Sequence, residues 1–144
     1  MQMLIGGELV AAADGGRYPT YSPVTGEVLA EVPAATARDV DLAASAASRA
    51  QPAWARTPPR ERASVLRTMA AVLRDHRDEL GLLDARDGGN PVTAMTGDVD
   101  MAAELLEAFA DWVTQLGGLT LPSGGSHLHY TVREPYGVVA RIVP

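Results

Sequence analysis

The sequence predicts an α/β fold in which short β-hairpins precede a set of helices and a buried strand follows them. Within the first 35 residues, a Gly-Gly pair and a turn that contains Pro separate short extended runs. From Thr36 the apolar residues recur at helical spacing, and from Gly137 they form a nearly continuous run. Such a run is typical of a strand that is covered on both faces. Strands and helices in one chain indicate the α/β class.

The first segment is predicted to form two antiparallel hairpins. In MLIGGELV, Gly6 and Gly7 tolerate the positive φ of a two-residue turn between apolar runs. In YPTYSPVTGEVLAEV, the residues from Ser22 to Gly26 separate two further extended runs. Pro fixes φ there, and Gly supplies conformations that branched residues disfavour.

Helical periodicity begins at Thr36, which has capping-box spacing to Asp39. The first helix is predicted to pack closely along a stripe of mostly small residues, namely Val40, Ala43, Ala47, Ala50 and Trp54. The next helix is predicted to begin with Thr57 as its cap and Pro58 in its first turn. Its apolar face comprises Ala63, Leu66, Ala70 and Leu73. A further helical piece is expected to end at Gly88-Gly89, ahead of Pro91.

A third long helix is predicted from Asp98 to Leu116, and two strands of different character follow it. We assign one apolar face to this helix, comprising Val99, Ala102, Ala103, Leu106, Phe109, Ala110, Val113 and Leu116. Leu128–Arg133 alternates between apolar and polar residues, which indicates a strand with one solvent-exposed face. The buried strand then begins at Gly137, so we place a boundary between two structural layers across Glu134–Gly137.

The composition excludes several classes of function. The chain has 144 residues, 12 basic against 18 acidic and a net charge of −6, so we expect no nucleic-acid partner. Every basic residue is Arg and Cys is absent, which excludes a Schiff-base Lys, a Walker-A loop and a thiolate nucleophile. The start does not read as a secretory signal, and no window approaches the roughly 20 apolar residues that span a bilayer. We therefore expect a cytoplasmic protein with no membrane partner.

No residues of the chain are predicted to assemble a catalytic site. His127 and His129 lie on one side of their predicted strand, but a metal site needs further ligands and we expect surface histidines. Glu104 and Glu107 are expected to form a solvated helix face, and His76 has no nucleophile spaced to use it. The Gly pairs do not form G-x-G-x-x-G after a strand, so we interpret them as turns and helix ends.

An ordered series of motifs resembles the N-terminal portion of the NAD(P)-dependent aldehyde dehydrogenase superfamily. The series extends from end to end and includes IGGELV, SPVTGEVLAEVP, PRERASVLRTMAAVL, ARDGGNP and REPYGVVARIVP. The resemblance implies that residues 1–35 and 119–136 belong to an oligomerisation region. Residues 36–118 would form the helical part of a Rossmann-like cofactor domain, and residues 137–144 would form its first strand. It also implies an aldehyde substrate and a homo-oligomer.

The resemblance also implies two sets of binding residues. Backbone around Ile142, Val143 and Pro144 would line NAD or NADP. Some relatives hold a structural monovalent cation with backbone near the positions that match Thr20 and Tyr21 and with the Asp that matches Asp87. The Cys nucleophile and the Glu base of the family would come later than Pro144, so we assign no catalytic residue here.

Two hypotheses about function therefore stay open at this point. In the first, the chain is the N-terminal part of an enzyme that oxidises an aldehyde to an acid through a Cys thiohemiacetal. It would then be a truncated form or one piece of a split gene, and inactive alone. In the second, the chain is a non-catalytic oligomerisation or interaction module that docks onto an intact homologue. The identity of the aldehyde, NAD versus NADP and the oligomeric state are left open.

Overall fold

The computed structural model describes residues 1–142, which contain four helices and six short strands. The strands are β1 (Met3–Ile5), β2 (Glu8–Val10), β3 (Arg17–Tyr21), β4 (Val28–Pro33), β5 (Thr120–Leu121) and β6 (His129–Tyr130). The helices are α1 (Ala37–Arg56), α2 (Pro59–Asp75), α3 (Arg77–Gly88) and α4 (Val92–Trp112). This mixture confirms the predicted α/β class. Within these residues no helix is both long enough and apolar enough to cross a membrane.

The strands pair as three separate antiparallel ribbons, and both predicted hairpins are confirmed. In the first ribbon, β1 and β2 turn through Gly6 and Gly7, whose φ angles of 62° and 89° explain why glycine occupies both positions. In the second, β3 and β4 pair over their lengths with a register shift at Thr20 and Tyr21. The third joins β5 to β6.

Helix α1 begins at the predicted capping box, but its apolar stripe does not pack. The Thr36 side chain accepts a hydrogen bond from the Asp39 backbone N–H, and the Asp39 carboxylate accepts one from the Thr36 N–H. The helix then continues through Pro52 to Arg56. Val40 and Trp54 are exposed, so the prediction of close packing along this stripe is wrong within the described residues. No other described element covers the stripe, because α1 contacts mainly the β1–β2 ribbon.

The junction between α1 and α2 differs from the prediction by one residue. Thr57 ends α1, Pro58 is the N-cap of α2 and Pro59 is its first helical residue. A first-turn proline costs no hydrogen bond, because the first N–H groups of a helix lack partners within the helix. The predicted apolar face is confirmed, since Ala63 and Ala70 are buried.

Helix α4 begins earlier and ends earlier than the sequence predicts. It starts at Val92, directly after Pro91, and ends at Trp112 rather than at Leu116. Gly97 lies inside the helix, where glycine is tolerated at a modest cost, so the helix can begin before Asp98. The preceding helix ends as predicted, because Gly89 adopts a left-handed φ of 74°.

The core lies where α2 and α3 pack on α4, and small side chains build most of it. Its buried apolar residues are Ala63 and Ala70 of α2, Ala85 of α3, and Met95, Ala103 and Ala110 of α4. Gly81 of α3 lies against Thr96 of α4. Within residues 1–142 no large side chain is fully buried. The helices therefore approach closely through alanine and glycine, and most large side chains lie at the surface.

The carboxyl-terminal segment forms less regular structure than its sequence pattern predicts. Strand β6 is two residues long, whereas alternation predicted Leu128–Arg133. Residues 137–142 form no strand, and Val139 and Ile142 are 75% and 95% exposed. A strand needs neighbours to pair its backbone groups, and none of the described strands lies beside this segment. The assignment of residues 137–144 to a cofactor domain, like the other predicted domain boundaries, stays a prediction.

Candidate functional site

A cleft of about 590 Å³ lies between the β3–β4 ribbon and α3. Leu29 of the ribbon and Leu80 and Leu83 of α3 give it an apolar lining, while Asp84 and Asp87 supply carboxylates. Leu80, Leu83, Asp84 and Asp87 follow helical spacing, so they share one face of α3. That spacing is a signal from which this face could have been found in the sequence. It does not predict that the face meets the ribbon.

Two residues of the predicted cation site meet in this cleft. The Thr20 hydroxyl donates a hydrogen bond to Oδ1 of Asp87 at 2.9 Å. The register shift after Thr20 interrupts the regular pairing of the ribbon, and such bulges change the direction in which backbone groups point. Tyr21 is the next residue and its side chain is half exposed. The structure thus brings Thr20 and Asp87 together, while cation binding stays a prediction.

The turn from Ser22 to Gly26 fixes the ribbon against the end of α3. Ser22 is buried, and its Oγ accepts hydrogen bonds from the N–H groups of Val24 and Thr25 at 3.3 and 3.2 Å. A Cβ on Gly89 would lie only 2.8 Å from Cγ of Pro23, so the loop packs directly on this glycine. Ser22 and Gly89 each lie two residues from the Thr20–Asp87 pair. This packing therefore helps to hold Thr20 and Asp87 next to each other.

A second buried polar anchor joins the strand region to α1. Asp39 is 3% exposed. Its carboxylate accepts hydrogen bonds from the Thr36 N–H, the Thr36 hydroxyl and the Ala13 N–H. Hydrogen bonds from the Thr36 backbone, the Thr36 side chain and the Ala13 backbone lower the pKa of Asp39 below its ordinary value of 3.8. Because the Thr36 N–H, the Thr36 hydroxyl and the Ala13 N–H all donate to this carboxylate, we interpret Asp39 as a structural residue rather than an acid or base.

Ion pairs join α2 and α3 to α4, and one of them uses Glu107, which the sequence analysis assigned to a solvated face. Three arginines reach carboxylates of α4, in the pairs Arg67–Asp111, Arg74–Glu107 and Arg77–Asp100. The Arg74–Glu107 pair is bidentate, with N···O distances of 2.6 and 2.7 Å. Its hydrogen bonds lower the pKa of Glu107 and raise that of Arg74. Glu107 thus keeps the predicted exposed position, with 45% of its side chain accessible, but its ion pair was not predicted, because spacing within one helix does not predict partners on another.

The predicted cofactor segment forms no enclosed site in the described part of the chain. Ile142 is exposed, and the 590 Å³ cleft is lined by residues no later than Val99. Val143 and Pro144 lie outside the described residues. His127 and His129 are exposed, as predicted. Residues 1–142 contain no group of three His, Cys, Asp or Glu side chains placed to hold a metal ion.

Comparison with known proteins gives matches along almost the whole chain. The model of the "Aldehyde dehydrogenase family" matches residues 10–144. Aldehyde dehydrogenase tropH of Talaromyces stipitatus is 44% identical over 130 residues, which cover 88% of this chain and 25% of that protein. Putative aldehyde dehydrogenase DhaS of Bacillus subtilis is 36% identical over 146 aligned residues, covering 99% and 30%. The chain thus spans between 25% and 30% of the length of these curated relatives.

Solved structures resemble this chain over a similar share of their length. A putative aldehyde dehydrogenase from Burkholderia cenocepacia superposes with a TM-score of 0.85 and 34% identity, covering 90% of this chain and 27% of that one. PnpE in complex with nicotinamide adenine dinucleotide gives a TM-score of 0.85 and 33% identity with the same coverage. An E. coli NADP-dependent enzyme gives 0.84 and 33%, covering 87% and 26%.

Proposed function

The chain belongs to the aldehyde dehydrogenase family, and from this membership we propose that it supplies the N-terminal portion of an enzyme that oxidises an aldehyde to a carboxylic acid with NAD or NADP. The observation that carries the proposal is the family match over residues 10–144, together with the TM-score of 0.85. Structural neighbours named for NAD and NADP support the cofactor class.

We propose that this chain contributes scaffold rather than reacting groups. Formation of a thiohemiacetal needs a Cys thiolate, and the chain has no Cys. Ile142, the described residue of the predicted cofactor segment, is 95% exposed, so residues 1–142 do not by themselves enclose a dinucleotide at this segment. The nucleophile and the base would therefore come from polypeptide that corresponds to the rest of the relatives' length.

Two measurements test this proposal. The purified 144-residue chain, mixed with an aldehyde and NAD or NADP, is expected to form no reduced nicotinamide above the blank. Turnover above the blank would contradict the assignment of no catalytic residue. A chimera in which the chain replaces the matching segment of DhaS is expected to oxidise aldehyde. A folded but inactive chimera would refute the proposed role.

The alternative function is a non-catalytic oligomerisation or interaction module. The large apolar side chains left exposed on α4, such as Phe109 and Trp112, favour it, because surfaces of this kind mark binding sites. Under this alternative the chain would co-purify with intact DhaS while the chimera stayed inactive. Homo-oligomerisation and a cytoplasmic location likewise stay predictions, and sedimentation of the purified chain tests the first of them.

We also propose that Thr20, Tyr21 and Asp87 take part in binding a monovalent cation. Support comes from the 2.9 Å contact between Thr20 and Asp87 and from the register shift, which interrupts the regular pairing of the ribbon between Thr20 and Tyr21. The melting temperature is expected to be higher in sodium chloride than in choline chloride at equal ionic strength. Asp87→Asn should abolish the difference, and the control Asp84→Asn in the same cleft should keep it. Equal melting temperatures of the unaltered chain in both salts would contradict the site.

A further inference from the structure

The chain contains two Asp-Gly pairs, and they lie in different kinds of backbone. Asp14-Gly15 lies in the exposed turn between β2 and β3, whereas Asp87-Gly88 ends α3. In such a pair the backbone nitrogen of the glycine attacks Cγ of the aspartate, and the reaction is favoured because glycine has no side chain to shield its nitrogen. The fold therefore decides which of the two pairs reacts.

The turn at Asp14 folds the carboxyl group back over the Gly15 peptide. Oδ1 of Asp14 accepts a hydrogen bond from the Gly16 N–H at 2.8 Å, which is the geometry of an Asx turn. A carboxyl group bonded to the N–H two residues on passes beside the nitrogen between them. The Gly15 N–H donates along its peptide plane to the Ala12 carbonyl at 2.8 Å, so the face of the nitrogen stays open. Beyond its two chain neighbours, a Cβ built on Gly15 would meet no atom within 4 Å.

The helix keeps the same two groups apart at Asp87. Side chains of an α-helix lean toward its N-terminus, while the Gly88 nitrogen lies on the C-terminal side of Asp87. Each helical N–H is also directed at the carbonyl four residues earlier. The Asp87 carboxylate accepts a further hydrogen bond from the Thr20 hydroxyl at 2.9 Å. We therefore expect Asp87 to be protected while α3 is folded.

We propose that Asp14-Gly15 is a site of spontaneous isoaspartate formation in the folded chain. The Gly15 nitrogen bonds to Cγ of Asp14, the carboxyl C–OH bond breaks, and the hydroxyl leaves with the amide proton as water. Water then adds to the resulting five-membered succinimide. Addition at Cγ restores aspartate, and addition at the main-chain carbonyl carbon gives isoaspartate of unchanged mass. The reaction needs only water, so it is independent of the proposed function.

The added main-chain atom would lie between two anchored points of the backbone. On one side, the Ala13 N–H donates to the carboxylate of the buried Asp39 at 3.1 Å. On the other side, the Gly16 carbonyl accepts a hydrogen bond from the Ala34 N–H at 2.9 Å. Isoaspartate lengthens the main chain between these bonds by a CH₂ group and removes the Asx turn of Asp14. The modified chain is therefore expected to melt at a lower temperature than the unmodified chain.

Peptide mapping of the aged chain tests the proposal. The 144-residue chain is incubated in mildly acidic buffer, where a protonated carboxyl group expels water readily, and is then cleaved after arginine. This cleavage places Asp14 in the peptide 1–17 and Asp87 in the peptide 87–133. An isoaspartyl methyltransferase with labelled S-adenosylmethionine then marks isoaspartate. Label in 1–17 is expected to exceed label in 87–133 severalfold. In urea, where α3 is unfolded, the two peptides should gain label at similar rates.

Substitution of a neighbouring glycine separates the geometry of the turn from the dipeptide alone. A Cβ on Gly16 would lie 2.9 Å from Oδ1 of Asp14, so Gly16→Ala displaces the carboxyl group. It should slow the labelling of peptide 1–17 by about tenfold, because the reacting groups lose their alignment. The matched control Gly124→Ala lies in the exposed loop between β5 and β6, where an added Cβ meets no atom within 4 Å. It should be labelled like the unaltered chain.

Three outcomes would overturn the inference. They are absence of label in peptide 1–17, equal label in the two peptides of the folded chain, and an unchanged labelling rate in Gly16→Ala. Circular dichroism checks that each variant is folded. If Gly16→Ala does not fold, Asp14→Glu takes its place, and persistent label in its peptide 1–17 would contradict the assignment to Asp14.

Discussion

Replacing Gly81 with Ala tests how closely α3 and α4 approach each other. A Cβ at this position would overlap Cγ2 of Thr96 and would lie 2.9 Å from its backbone nitrogen and 3.0 Å from its Cα. Non-bonded heavy atoms of this kind prefer about 3.5–4.0 Å. The Thr96 methyl group is held by the hydroxyl bond to the Val92 carbonyl, and the backbone atoms move only with the helix. The substitution therefore forces the two helices apart.

The expected loss of stability follows from two opposing effects. Extra volume in a packed contact costs about 1–3 kcal/mol. Ala inside a helix is favoured over Gly by about 1 kcal/mol, which offsets part of that cost. We therefore expect Gly81→Ala to lower the free energy of unfolding by up to about 2 kcal/mol. Gly97→Ala is the matched control, because it is a helical glycine of α4 with no atom within 4 Å of the added Cβ. It should raise stability by about 0.5–1 kcal/mol.

Urea unfolding followed by circular dichroism measures both variants. The two free energies should differ by about 2 kcal/mol, with the urea dependence unchanged. The second-site change Thr96→Ser removes the overlapping methyl group and should recover only part of the loss, because the backbone contacts at 2.9 and 3.0 Å persist. Equal stability of Gly81→Ala and Gly97→Ala would refute the close approach of α3 and α4.

Three further substitutions test other local features. The pKa of Asp39 is lowered, so its ionised carboxylate adds stability that is complete above its ordinary pKa of 3.8 and is lost as the pH falls below that value. The unfolding free energy of Asp39→Asn, measured by urea titration at a series of acid pH values, should therefore fall less steeply with decreasing pH than that of the unaltered chain. Pro52→Ala should raise the helical circular dichroism signal and stabilise α1 by up to about 3 kcal/mol, because it restores an N–H donor inside the helix. Gly89→Ala should lower the melting temperature more than Gly15→Ala, since both have a φ near 75° but only Gly89 meets Pro23. Equal shifts in that pair would contradict the loop packing.

Local signals predicted the start and end of several elements, because the interactions that fix them lie within a few residues. Gly6 and Gly7 form the first turn, and Thr36 with Asp39 caps α1. Gly89 ends α3 in a left-handed conformation. In each case the sequence contains both partners of the interaction or the one residue that tolerates the required φ.

Elements that need a distant partner were predicted less well. The segment 137–142 has the pattern of a buried strand, yet no described strand pairs with it. The bond between Thr20 and Asp87 joins residues 67 positions apart, so only the resemblance to the family placed them in one site. Arg74 and Glu107 are 33 positions apart and gave no signal within either helix. Periodicity reports which face of an element is apolar, but not which element covers it.

The two apolar faces of α4 follow from one property of the sequence. Close approach of α2 and α4 requires small side chains at their contact, and Ala63, Ala70, Ala103 and Ala110 meet that requirement. Alanine buries little apolar area, so this contact contributes only part of the stability that a domain needs. The larger side chains, such as Phe109 and Trp112, point away from it and stay half exposed. The alanine contact thus sets the positions of the helices, while the large side chains of α4 add little burial within residues 1–142.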